Sequence, residues 1–152
     1  MKIKQFNTIH LGKKLLSEIY EMHPEINSMQ EIIDHLKGVK NQTPDIISRA
    51  ISEGSILMVN ISQVVAEYVS LANESYTYRK YAEMWEFNKL KSDVSQKARE
   101  HIARDAVFEE TQNELTARFV ADFLKNTEKS YYTFITTMQS RLNVLKQERI
   151  NS

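Results

Sequence analysis

Between Tyr76 and Arg104 the chain interleaves rings with cations. Tyr76, Tyr78, Tyr81, Trp85 and Phe87 alternate with Arg79, Lys80, Lys89, Lys91, Lys97, Arg99 and Arg104. Rings that stack on bases, beside cations that follow phosphates, form a general means of holding single-stranded nucleic acid without reading its sequence. At about 100° per residue, Lys80, Lys91 and Arg99 fall on one helical flank, while Glu83, Glu86, Asp93 and Glu100 lean to another. The tract also has a plainer reading. Arg79–Glu83, Asp93–Lys97 and Glu100–Arg104 are i, i+4 pairs that dress a solvated helix. Tyr78 and Trp85 fall on a heptad seam, where they would be core.

Other chemistry finds less support. None of the four histidines, His10, His23, His35 and His101, stands three residues after a glutamate. The Glu-x-x-His pairs of di-iron bundles are therefore missing. His101 and Asp105 form an i, i+4 pair without further ligands at matching spacing, and a surface pair is the preferred reading. The chain has no cysteine, which excludes disulfides, thiolate nucleophiles and cysteine-bound zinc. Gly12, Gly38 and Gly54 are too far apart for a phosphate-cradling loop. The expectation is a non-enzyme with no metal and no cofactor.

The elements that must carry the ring tract follow from what is missing. After Gly54 there is neither glycine nor proline, so the usual means of stopping a helix are absent. Leu57, Ile61, Val64, Tyr68, Leu71, Ser75, Tyr78, Ala82 and Trp85 recur at spacings of four and three, as the inward positions of a coiled coil do. Tyr131, Ile135, Met138, Leu142 and Leu145 make a second seam. Phe87, Leu90, Val94, Ala98 and Ile102 keep an apolar edge that drifts out of the heptad. This pattern predicts one helix over about 55–108 and another over about 116–148. Thr111 and Glu114, at capping-box spacing, place the bend at 109–116.

The first of these helices would reach roughly 80 Å and the second about 50 Å, so part of the first seam would lie bare. Other copies of the chain are the simplest cover. Leu57, Ile61, Val64, Tyr68, Leu71, Tyr131, Ile135, Met138, Leu142 and Leu145 are accordingly the expected oligomerisation residues.

Upstream, residues 1–12 are compatible with a short strand or an arm. Residues 13–54 read as three short helices: one ended by His23-Pro24, one from the Ser28/Glu31 capping box to Gly38, and one from Thr43-Pro44 to a Gly54 cap. The expected fold is all-α: a long helical hairpin or coiled coil over 55–152, with a small cap of short helices over 1–54, assembled as an oligomer. A helix-turn-helix over 28–53, with Arg49 reaching for duplex DNA, is a rival. The link from Gly38 to Thr43 is longer than that motif's usual turn, and seven acids offset seven bases across residues 1–54. A packing cap is preferred.

Twenty basic and twenty acidic residues cancel over 152 residues, which argues against duplex binding by bulk charge. No uninterrupted apolar run approaches the length of a membrane span, and the first residues lack the apolar core of a signal peptide. The expected location is the cytoplasm, that of a bacterial host if the chain is phage-encoded.

The run Ala72-Asn73-Glu74-Ser75-Tyr76-Thr77-Tyr78-Arg79-Lys80-Tyr81, followed by Lys97-Ala98-Arg99, resembles the UvsY-type phage recombination mediators over about residues 60–150. Members of that group carry an Ala-Asn pair, closely followed by aromatic, lysine and aromatic. A Lys-Ala-Arg triplet lies further along, then an irregular connection and a second helix like 116–148. The resemblance implies a ring-shaped homo-oligomer that binds single-stranded DNA and helps load a phage recombinase onto strands covered by single-strand-binding protein. It places Lys97 and Arg99 on the DNA. Charge pattern adds Lys80, Lys89, Lys91 and Arg104. The rival from a different class is a coiled-coil adaptor, scaffold or host-factor inhibitor without nucleic-acid binding.

Overall fold

A computed structural model describes residues 2–151, with side chains from His10 onward. It is all-α. Five helices follow one another: α1 (Lys2–Met22), α2 (Pro24–Gly38), α3 (Pro44–Lys89), α4 (Gln96–Ala106) and α5 (Phe108–Asn151). The described residues include no strand.

Helix starts upstream follow the punctuation in the sequence. Pro24 opens α2, where its missing N–H costs nothing. The Thr43 hydroxyl accepts from the Ile46 N–H at 3.4 Å, and Pro44 follows as the first helical residue. Residues of the 1–12 stretch, expected as strand or arm, belong to α1 from Lys2 on. Ser28 and Glu31 are not a cap, because α2 begins four residues before Ser28.

Gly54 also departs from expectation. It lies buried inside α3, which passes through it without a break and makes the third short helix and the first long one a single element. A Cβ there would stand 3.3 Å from the Met29 sulfur and 3.7 Å from Ile135 Cδ1. Glycine here serves close packing, and its helix-ending capacity goes unused. With α3 thus continuous, the helix after Gly38 is 46 residues long, far from the short recognition helix of a helix-turn-helix.

Downstream, the expected single helix over 55–108 is two helices. The chain turns at 90–95 without glycine or proline: Leu90 N–H bonds Phe87 O, Val94 N–H bonds Lys91 O, and Ser95 caps α4 through its side chain to the Ala98 N–H. The second break falls at Val107, not at 109–116. Thr111 lies within α5, and its hydroxyl donates back to Val107 O at 2.8 Å. Ser and Thr hydroxyls often turn to the preceding turn in this way instead of capping. The same habit recurs along α5, where Thr127, Ser130, Thr133, Thr136, Thr137 and Ser140 each donate to the carbonyl four residues back.

The chain divides into two compact units. The first comprises Met1–Leu16 with Glu67–Asp122; the second comprises Ser17–Ala66 with Phe123–Ser152. The second holds a packed core of Ile19, Ile26, Met29, Ile33, Leu36, Ile47, Met58, Ile61, Leu124, Tyr131 and Ile135. In it α3 and α5 run antiparallel, as shown by Gly54 near Ile135 and by Ser62 Oγ on Glu128 Oε1 at 2.6 Å. The first unit buries Leu16, Ala103, Val107, Val120 and Ala121. There α1 comes so close to α5 that a Cβ on Gly12 would collide with the Phe119 ring.

By length and composition α3 could cross a membrane: an 18-residue window within it has a mean hydropathy of 1.4, and 22% of that window is buried. Reading for uninterrupted apolar runs missed it, since serine, asparagine, glutamine and Glu67 punctuate the stretch. The core helix of a soluble protein passes the same test.

A candidate recognition surface on the first unit

Residues 76–104 lie entirely in the first unit. Tyr78, Tyr81 and Trp85, at i, i+3 and i+7, share one face of α3. They are 67%, 64% and 66% exposed. Tyr78 and Trp85 are thus not core residues of the single chain, contrary to the plainer reading of their heptad positions. Leu71, one seam position upstream of Ser75, is exposed with them.

The opposite side of this part of α3 is tied down by charge. Arg79 Nε reaches Glu114 Oε2 at 2.5 Å, and its Nη1 reaches Glu83 Oε2 at 2.6 Å. The second Glu114 oxygen accepts from Arg118 Nη2 at 2.8 Å. Glu114 is buried, so both its oxygens are occupied by guanidinium donors out of bulk water. Burial lowers the pKa of Arg79, but Glu114 and Glu83 outweigh it and hold the group above its ordinary value. Pattern reading paired Glu114 with Thr111 as a cap; its actual partner Arg79 stands 35 residues away, beyond any local spacing rule.

This arrangement scatters the six expected DNA-binding cations. Lys80 lies about 160° around the helix from Tyr78 and rests its ammonium 5.9 Å from the Tyr76 ring. Lys89 bonds Glu86 at 2.7 Å and stands 5.5 Å from the Trp85 ring. Arg99 is half-buried with its guanidinium 4.5 Å from the Phe87 ring, and its Nε has no hydrogen-bond partner. Arg104 stands 3.8 Å from Glu83. Among the described residues, only Lys91 and Lys97 of the six are exposed with no ion-pair or ring contact. Arg49, the residue of the helix-turn-helix reading, is exposed and paired to Glu53 at 2.8 Å.

The expected oligomerisation residues divide as well. Ile61, Val64, Tyr131, Ile135 and Leu142 are buried within one chain, and Leu57, Tyr68, Met138 and Leu145 are half-buried. Leu71 alone of the ten is exposed. Intrachain packing already supplies the cover that other copies were expected to give most of this set.

Two hollows border the ring face, of about 650 and 500 Å³. Both are lined by Tyr78, Tyr81 and Glu110; Glu74 lines the first, and Trp85 and Glu86 the second. The residues that sequence reasoning missed are these carboxylates. Glu110 comes from the start of α5, so no spacing within α3 could have revealed it. His101 and Asp105 are both exposed, and no group of three metal-ligating side chains exists among the described residues.

No family model, curated protein or solved structure matches the chain.

Proposed function

We propose that this chain is a non-enzymatic binding protein whose working surface is the ring face of α3 in the first unit. One observation carries the reading: three large rings stand in a row in solvent on a helix whose reverse side is fixed by the Glu114 ion network. Rigid aromatic side chains supply much of the energy at protein interfaces, because they bury large areas for little conformational entropy. Replacing Tyr78 and Trp85 together by alanine tests it. The expected melting temperature stays within about 2 °C of the parent, since exposed side chains contribute little to stability. A fall of more than about 6 °C would return the rings to the core and end this reading.

Single-stranded DNA binding by an oligomer that assists recombinase loading is the second reading. The exposed rings and the unpaired Lys91 and Lys97 favour it. Leu71, Tyr78 and Trp85, the uncovered part of the coiled-coil seam, would then also pair copies of the chain. Fluorescence anisotropy with labelled oligo-dT across a salt series decides: this reading requires a steep loss of affinity as salt rises, weakened by replacing Lys91 and Lys97 with alanine.

A further inference from the structure

We infer that the ring face is a cradle for cationic side chains, and that its occupant is a partner polypeptide segment presenting arginine or lysine. The inference rests on the proposed working surface and adds the chemistry of its ligand. Glu74 lines the first hollow and Glu110 both, beside Tyr78 and Tyr81, and neither has an ion-pair partner among the described residues. The surface therefore combines the negative faces of aromatic rings with unneutralised carboxylates. Both attract an ammonium or guanidinium group and both repel a phosphate.

The chain contains a small example of the contact. Lys89 lays its ammonium 5.5 Å from the Trp85 ring while bonded to the Glu86 carboxylate at 2.7 Å. That is ring plus carboxylate around one cation, at the edge of the face. Glu110, lining the same hollows as Tyr78 and Tyr81, offers the same pair of elements with no cation lining them among the described residues. A segment with basic residues one helical turn apart would match rings spaced roughly 4.5 to 6 Å along the axis.

Trp85 is the only tryptophan in the chain and lies on the face itself, so its emission reports occupancy directly. The full-length protein is titrated with a helical peptide carrying lysine and arginine at i, i+4 spacing. Two controls run beside it: an acidic peptide of equal apolar content, and oligo-dT. The basic peptide should change the emission saturably, and the acidic peptide should not. Replacing Glu74 and Glu110 by glutamine should weaken the basic peptide at least about fivefold, while the melting temperature holds. Saturable binding of oligo-dT or of the acidic peptide in place of the basic one would overturn the cationic ligand but keep the surface. Equal affinity in the glutamine variant would also overturn it. Emission that shifts with protein concentration alone would assign the face to a second copy. A tryptophan that no probe moves would remove the working surface itself.

Discussion

Among the described side chains, fifteen of the twenty buried apolar ones belong to the second unit and five to the first. One helix takes part in both. Through the second unit α3 buries Ile47, Met58, Ile61, Val64 and Val65; beyond Val65 it has no buried residue before it ends at Lys89. There the Arg79–Glu114–Arg118 network takes over the anchoring, and the rings face water. A heptad repeat marks which face of a helix is apolar. Whether a neighbour covers that face depends on residues elsewhere in the chain.

If the second unit is held by packing and the first by charge, different substitutions should break them. The largest effect is expected from Ile61→Ala in the second unit: about 2–5 kcal/mol lost in urea denaturation, for a fully buried side chain that leaves a cavity. A loss below about 1 kcal/mol would contradict the packed core. Next comes Glu114→Ala, about 2–3 kcal/mol. That is below the usual cost of breaking a buried pair, because Arg79 keeps Glu83 as a partner. Hydrogen exchange should show the amides of α4 losing protection before those of α2; loss in the opposite order would count against the division.

Tyr131→Phe should cost about 1 kcal/mol, the net worth of the hydroxyl's hydrogen bond to Ile26 O at 3.1 Å. It also carries a pH signature. Burial first, then the neighbouring Tyr20 and Asp34, push the Tyr131 hydroxyl up to about 12. The unfolded chain ionises at the ordinary value of 10, so this contribution is complete below pH 10 and is lost as pH climbs towards 12. Melting temperatures of the phenylalanine variant should fall less steeply than the parent's across that window. The smallest effect belongs to Trp85→Ala, within about 0.5 kcal/mol; a cost comparable to Ile61→Ala would erase the contrast between the units.

The sequence showed the all-α class plainly, because glycine and proline vanish after Gly54 and the stop at His23-Pro24 and the cap at Thr43-Pro44 are local. Gly54 misled, since a glycine that ends a helix and one that admits a neighbouring Met29 are identical in sequence. The turn at 90–95 was hidden because a serine cap and two tight backbone hydrogen bonds do the work usually left to glycine. The length mismatch behind the expected oligomer also vanishes: α3 and α5 are 46 and 44 residues long. Of the site, rings and cations were legible as types, but their exposure was not. Lys80, Arg99 and Arg104 each found a partner inside the chain, Tyr76, Phe87 and Glu83, that linear charge pattern could not assign.

The row of hydroxyls that lean back on their own carbonyls along α5 sets a limit on that helix's autonomy. Threonine and serine are mediocre helix formers, because the same hydroxyls serve non-helical backbones just as well. Cut out as a peptide, residues 123–151 should be largely unstructured in water. Their order in the protein is then imposed by Tyr131, Ile135 and Leu142 finding the core, and this stretch of the chain becomes helical only as it docks.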